Sequence, residues 1–205
     1  MLREHNRTIF RKLSPLNKTT DSTFRVGLTR DFLNADGEPV FGDIGLDVLK
    51  SQTGVTVEFL PDHGDELPSS VGCDFDALIV LAPRVTAVTL SRASRLAIVA
   101  RFGVGYDSVD VAACTNNDVL LTITPDGVRR PVAVSALAML LALSHRLIAK
   151  DKLTREGRWK DKLDYMGVGL TGRTMGLVGF GNIGREIAKV AAPLDMRLIA
   201  HDPFA

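Results

Sequence analysis

The chain has 205 residues, which is enough for one large domain or for one domain and part of a second. Hydrophobic residues make up 45% and charged residues 24%, a composition that excludes a disordered or fibrous chain. The 25 basic and 24 acidic residues nearly cancel, so neither nucleic acid nor an anionic membrane is expected as the main partner.

The first predicted region in chain order is a disordered basic tail over residues 1–23. It has five basic and two acidic side chains and no apolar segment of the kind that a secretory signal requires. An organellar targeting segment is the alternative interpretation of this composition, and the tail is preferred because basic residues are common in disordered chain ends.

Short apolar segments alternate with helix-like segments between residues 24 and 124. The predicted strands are 25–29, 55–60, 77–81, 96–100 and 119–122, and the predicted helices are 44–51, 86–94 and 108–115. Asp107 is expected to cap the last of these helices, with Asp110 in its first turn. Most of the strands are continuously apolar, which is typical of a parallel sheet buried on both faces. The region is therefore predicted to be an open α/β layer.

A different organisation follows the last of these strands. Pro125-Asp126-Gly127 predicts a turn, and a long helix is expected to begin at Pro131. Its apolar segment, residues 132–143, is shorter than the roughly 20 residues of a membrane span, so a core or dimer-interface helix is expected. The polar residues 151–169 are interpreted as an irregular surface connection.

A G-x-G-x-x-G motif follows an apolar strand that starts near Thr174 and opens a plausible helix. Its first glycine, Gly179, allows a tight turn, and Gly181 lets a pyrophosphate approach the backbone. Gly184 is expected to let the helix pack closely on the strand. The free N–H groups at the start of this helix, which include those of Asn182 and Ile183, would then hold the phosphates.

Asp202 completes the pattern of a dinucleotide-binding unit. It ends a second predicted strand, 197–200, and lies 23 residues after Gly179, where an acid for the adenosine ribose is expected. A carboxylate at this position favours NAD because it would repel the 2′-phosphate of NADP, although the neighbouring His201 could tolerate that phosphate. The alternative interpretation is a glycine-rich turn followed by a solvated aspartate.

Four motifs together resemble the D-isomer-specific 2-hydroxyacid dehydrogenases. The similar segments are residues 101–110, 156–159, 170–184 and 201–204. The resemblance implies a flavodoxin-like, parallel-sheet substrate-binding domain over residues 24–124. It also implies that residues 125–205 are the N-terminal, incomplete part of a Rossmann NAD-binding domain, with the active site in the cleft between the two.

The function implied by the resemblance is hydride transfer between NAD(H) and a 2-hydroxy or 2-oxo acid. The backbone N–H groups of Val104 and Gly105 would bind the substrate carboxylate, and the complete protein would be a homodimer. No metal site is expected, because Cys73 and Cys114 are far apart and form no CxxC pair. The same sparse cysteine usage fits a reducing, cytoplasmic compartment.

The family places its catalytic arginine, glutamate and histidine later in the cofactor domain. None of the four histidines here matches that histidine, namely His5, His63, His145 and His201. The chain is therefore expected to be an N-terminal portion that has no catalytic residues and no dehydrogenase activity alone. The alternatives are a non-catalytic NAD(H)-sensing regulator, a formate- or phosphite-type dehydrogenase, and a truncated module that dimerises through the long helix.

Two further departures from the family concern the substrate. Leu81-Ala82-Pro83 stands where phosphoglycerate-type members tend to have Arg-Ser, which puts a phosphorylated substrate in doubt. Val128 and Val134 stand where many members have an asparagine that faces the active site and a glutamate early in the helix. The neighbouring Arg129 and Arg130 could meet an acidic substrate group or could be solvated charges, and the second interpretation is preferred.

Overall fold

The computed structural model describes residues 23–204, so the predicted basic tail, apart from its last residue, lies outside the described residues. Two compact units are present, the first ending at Ile123 and the second beginning at Thr124. Each unit is built on parallel strands, which confirms the predicted α/β class.

The first unit contains a five-stranded sheet in the order β2-β1-β3-β4-β5, and every strand pair in it is parallel. Its strands are β1 (Phe24–Leu28), β2 (Val55–Phe59), β3 (Ala77–Val80), β4 (Ile98–Arg101) and β5 (Leu120–Thr122). Because the strands are parallel, their carboxyl ends lie along one edge, where ligands bind in open α/β sheets.

The helices of the first unit are shorter than the sequence predicts. They are α1 (Leu46–Lys50), α2 (Val71–Asp74), α3 (Ala87–Leu90) and α4 (Val111–Asn116), with a 3₁₀ turn at Arg30–Phe32. The expected cap at Asp107 is wrong, because Asp110 is the N-cap of α4. The side chain of Asp110 accepts the N–H of Ala113 at 2.8 Å. The helix therefore begins three residues later than the predicted one.

The core of the first unit lies on both faces of its central strands. Leu78, Val80 and Val99 are fully buried, as are Leu28 and Leu90. Each such side chain contributes roughly 1.5–3 kcal/mol relative to an exposed one, so these strands dominate the stability of the unit.

The second unit combines a two-stranded parallel sheet with three helices. The strands are β6 (Thr174–Val178) and β7 (Arg197–His201), and the helices are α5 (Pro125–Ser144), α6 (Leu147–Arg155) and α7 (Asn182–Ala191). A 3₁₀ helix, Trp159–Tyr165, follows α6, and another, Ala192–Leu194, follows α7. The prediction that residues 151–169 are irregular is therefore wrong for much of that segment.

The predicted turn at Pro125-Asp126-Gly127 is also wrong, because α5 begins at Pro125 and Pro131 lies inside it. A proline at the first helical position loses no hydrogen bond, since that N–H has no partner within the helix. Pro131 removes one internal bond, a loss that this 20-residue helix tolerates. The local turn preference of these three residues is therefore overridden by the longer helix that includes them.

The apolar helix α5 is largely exposed within the described residues. Ala133 is its one buried residue, whereas Met139 is 61% and Leu143 is 79% exposed. In the described part of the chain α5 alone is long and apolar enough to cross a membrane, by length and composition only, a test that core helices of soluble proteins also pass. The described residues therefore do not cover the apolar side chains of α5 as they would cover those of a core helix.

Candidate cofactor-binding and substrate-binding sites

The glycine motif forms a tight turn between β6 and α7. Gly179 has a φ of +93°, a conformation that side chains disfavour, and its N–H donates to the carbonyl oxygen of His201 at 2.8 Å. Helix α7 begins three residues later, at Asn182. The first N–H groups of α7, which include those of Asn182, Ile183 and Gly184, have no acceptor within the helix, and the turn places them next to one another.

The other two glycines of the motif have different surroundings. A Cβ on Gly184 would lie 2.3 Å from the carbonyl oxygen of Gly179, so this position has no room for a side chain. The close contact is with the loop rather than with the strand face predicted from the sequence. A Cβ on Gly181 would meet no atom within 4 Å. The space beside Gly181 is therefore open to a ligand, and a pyrophosphate would fit there.

Asp202 holds the glycine loop closed. Its Oδ2 accepts the N–H of Phe180 at 2.6 Å, and its Oδ1 accepts the N–H of Phe204 at 2.9 Å. These two bonds, the one from Phe180 first, hold the pKa of the Asp202 carboxyl below its usual range, with a smaller contribution from Arg185. Asp202 is therefore ionised at neutral pH, and each oxygen keeps a lone pair for a ribose hydroxyl.

Arg185 is a second support of this loop, and the sequence analysis did not identify it. Its Nε donates to the carbonyl oxygen of Phe180 at 2.9 Å, and its guanidinium lies 5.8 Å from the ring centroid of that residue. The position of Arg185, one residue after the motif, was the signal available in the sequence. Arg185 and Asp202 therefore hold Phe180 through both its carbonyl and its N–H group.

In the first unit, the predicted substrate loop follows β4 directly. The N–H of Phe102 donates to the carbonyl oxygen of Val80 at 2.8 Å, and Gly103 has a φ of +146°. Within the described residues no protein group accepts a hydrogen bond from the N–H of Val104 or of Gly105. Two adjacent N–H groups are thus free at the carboxyl edge of the sheet, an arrangement that suits an anion.

Arg101 adds a positive charge to this loop and was also missed. A Cβ on Gly103 would lie 2.6 Å from Nη1 of Arg101, which donates to the carbonyl oxygen of Phe102. Its buried Nε has no partner, and no carboxylate of the described residues pairs with it. A partly buried cation without a counter-ion is costly, so a bound anion would stabilise it. An arginine that ends an apolar strand was the available signal.

The remaining charged candidates have structural partners. Arg130 pairs with Glu186 at 2.8 Å and holds the pKa of that carboxyl below its usual range, while Arg129 pairs with Asp126 at 3.2 Å. His63 accepts the N–H of Arg30 at 3.2 Å. These contacts favour structural roles over contact with a substrate.

The other two described histidines lie at the ends of regular elements. His145 caps the C-terminus of α5, and His201 ends β7. His5 lies outside the described residues. Within residues 23–204 no group of three or more His, Cys, Asp or Glu side chains could hold a metal ion.

Comparisons with known proteins agree with this geometry. Residues 137–205 match the family model described as "D-isomer specific 2-hydroxyacid dehydrogenase, NAD binding domain". Glyoxylate reductase of Thermococcus onnurineus is 41% identical over 133 residues, which cover 62% of this chain and 40% of that protein. Hydroxypyruvate reductase of Thermotoga maritima is 36% identical over 155 residues, which cover 75% and 49%.

Among solved structures, the TT0316 protein from Thermus thermophilus has a TM-score of 0.68 and 31% identity. The match covers 88% of this chain and 57% of that one. A strand, a glycine loop and a helix, with an acid after the next strand, define a dinucleotide-binding unit. The chain belongs to the D-isomer-specific 2-hydroxyacid dehydrogenase family. NAD is the cofactor of the matched domain, and the chain spans less than half the length of the two reductases.

The different surroundings of Gly181 and Gly184 predict different effects of an alanine at each position. Gly184→Ala should lower the free energy of unfolding by about 1–3 kcal/mol, because its Cβ overlaps the carbonyl group of Gly179. Gly181→Ala should leave that free energy within about 0.5 kcal/mol of wild type, since its backbone is extended and its surroundings are open. It should nevertheless weaken NADH binding about tenfold or more.

Urea unfolding and titration of NADH fluorescence measure the two quantities on the same samples. Equal stabilities of the two variants would contradict the packing role of Gly184. Unchanged NADH affinity of Gly181→Ala would contradict the placement of the pyrophosphate beside Gly181.

Proposed function

We propose that this protein is an NAD-dependent oxidoreductase that interconverts a small 2-hydroxy acid and the corresponding 2-oxo acid. The main support is the closed glycine loop, in which an ionised Asp202 bonds to Phe180 beside the open space at Gly181. When bound, the nicotinamide would donate the hydride to the 2-oxo acid or accept it from the 2-hydroxy acid, and one proton is taken up or released in the same step.

In this proposal the residues of the second unit bind the cofactor. Gly179 forms the turn, Gly181 admits the pyrophosphate, and the first N–H groups of α7, from Asn182, Ile183 and Gly184, bind its oxygens. Asp202 accepts the hydroxyls of the adenosine ribose. No proton-transfer role is proposed for any of the described residues.

The first unit would bind the substrate. The free N–H groups of Val104 and Gly105 would hold the carboxylate, and the guanidinium of Arg101 would balance its charge. At the end of β3, the N–H of Ala82 already donates to Oδ2 of Asp31 at 2.8 Å. A carboxylate at that strand end would repel a phosphate, which supports a substrate without a phosphoryl group.

Turnover tests this proposal directly. The product of the complete reading frame should oxidise NADH with glyoxylate or hydroxypyruvate, the substrates named for the two similar reductases. The 205-residue chain should show no turnover. Loss of NADH absorbance measures both proteins, and formate and phosphite with NAD serve as the comparison.

Three results would contradict parts of the proposal. Turnover of formate or phosphite, with none of 2-oxo acids, would replace the substrate class. NADH binding by the complete protein without turnover of any of these compounds would favour a regulator that senses NAD(H). Turnover by the 205-residue chain would contradict the expectation that it lacks the catalytic groups.

The carboxylate of Asp202 should set the preference for NAD over NADP. In the complete protein, Asp202→Asn keeps an oxygen that can accept one of the two N–H groups but removes the charge that repels a 2′-phosphate. We expect the ratio of kcat/KM for NADH to that for NADPH to fall about tenfold. Asp202→Ala removes the charge and both hydrogen bonds, so it should also weaken NADH binding.

The two variants thus separate the role of charge from the role of loop closure. An unchanged ratio of the kcat/KM values in Asp202→Asn would contradict Asp202 as the ribose ligand.

We also propose that the protein forms a homodimer through the apolar surface of α5 and α6. Leu143 and Leu147 are 79% and 57% exposed, and Ile148 is 78% exposed. Neighbouring exposed apolar side chains on two consecutive helices are typical of a protein-binding surface.

Sedimentation should give the mass of two chains, and Ile148→Glu should raise the dissociation constant at least about tenfold. Val88→Glu is the matched control, because Val88 is 62% exposed in α3 of the first unit and should leave the mass unchanged. A monomeric wild type, or equal effects of the two variants, would contradict this interface.

A further inference from the structure

Three phenylalanine rings in the first unit meet beside the proposed carboxylate-binding loop. The ring centroid of Phe102 lies 5.2 Å from that of Phe32 and 5.6 Å from that of Phe41. The Phe32 and Phe41 centroids are 6.1 Å apart, and the two contacts of Phe32 are edge-on, an arrangement that aromatic rings favour. The rings therefore join three separate segments of the chain.

Phe102 connects this cluster to the loop. It lies between Arg101, the last residue of β4, and Gly103, and its N–H donates to the carbonyl oxygen of Val80. The sheet thus fixes the backbone of Phe102, and the other two rings fix its side chain. The N–H of Gly103 donates to the carbonyl oxygen of Arg101 at 3.0 Å, and Gly103 has no side chain, so Phe102 makes the last side-chain contacts before the free N–H groups.

Phe41 reaches the cluster through a small hairpin, residues 33–41. Asn34 closes the hairpin, because its N–H donates to the carbonyl oxygen of Glu38 and its Oδ1 accepts the N–H of that residue, each at 2.8 Å. Val40, the residue before Phe41, donates its N–H to the carbonyl oxygen of Phe32 at 2.9 Å. The backbone on either side of the hairpin is therefore held, which places the ring of Phe41 beside the ring of Phe32.

Phe41 is less tightly packed than Phe32. It is 49% exposed, whereas Phe32 is 2% exposed. Phe41 also lines a cavity of about 160 Å³, together with Pro39, Ile44 and Phe59. Removing its ring would therefore release one side of Phe102 without opening the buried core around the central strands.

We propose that Phe41 is a positioning residue for the substrate loop. The hairpin of residues 33–41 presses its ring against Phe102 and so keeps the N–H groups of Val104 and Gly105 oriented for a carboxylate. The inference rests on the proposed function, in which these two groups bind the substrate carboxylate. A loop that is already ordered binds more tightly, because the cost of ordering it is not taken from the binding free energy.

Titration of the 205-residue chain with oxalate, followed by NMR at the amides of Val104 and Gly105, tests this role. Phe41→Ala should raise the dissociation constant about fivefold. Val40→Ala is the matched control, because Val40 is in the same hairpin and 55% exposed but belongs to no ring contact, so it should match wild type. Phe41→Tyr should also match wild type, since it keeps the ring and its hydroxyl can reach water.

Hydrogen exchange without oxalate provides a second readout. In Phe41→Ala the amide of Phe102, which is protected by its hydrogen bond to Val80, should exchange faster, while the amides of the central strand β3 should keep their wild-type rates. Wild-type oxalate binding that Phe41→Ala does not weaken, with unchanged exchange, would overturn the positioning role and leave the proposed function intact. Equal weakening by Val40→Ala would also overturn it. Oxalate that shifts neither amide in wild type would overturn the carboxylate site and with it the positioning role.

Discussion

Parallel pairing of the strands is the constraint on which both binding loops depend. A strand such as β3, with an apolar side chain at every position, is stable only when both of its faces are covered. Helical connections that cover those faces return the chain to the same end of the sheet, so every strand ends at one edge. In the first unit β4 continues from that edge into Phe102 and Gly103, and in the second unit β6 continues into Gly179.

Different interactions hold the two loops that leave these edges. An ionised carboxylate on the neighbouring strand end fixes the glycine loop, because Asp202 bonds to the N–H of Phe180. Aromatic contacts hold the substrate loop through Phe102. The distinction suits what each loop would bind. A carboxylate beside the proposed cofactor site would discriminate against an extra phosphate, whereas the neutral rings at Phe102 would support the loop without opposing an anion.

The sequence predicted the parts of this structure that follow from short-range pattern. Strand 77–81 was placed correctly because its apolar residues are continuous, and the observed strand is Ala77–Val80. The start of α5 was missed, since Pro125-Asp126-Gly127 has turn chemistry and only the long helix beyond it decides the outcome. The hydrogen bond from Phe180 to Asp202 and the ring contacts of Phe102 could not be predicted, because the residues in each contact are distant in sequence and meet only after folding.

Charge along the carboxyl edge of the first sheet narrows the kind of substrate that this unit could accept. Arg101, at the end of β4, has no carboxylate partner among the described residues, so one negatively charged group would be stabilised there. Asp31 occupies the N–H of Ala82 at the end of β3, the adjacent strand, and its charge is negative. A second anionic group that extended toward β3 would meet repulsion from the carboxylate of Asp31, which the nearby charges of Arg30 and Arg84 would partly offset. In the proposed function, the unpaired charge of Arg101 would therefore place the carboxylate of the substrate at the end of β4 rather than at the end of β3.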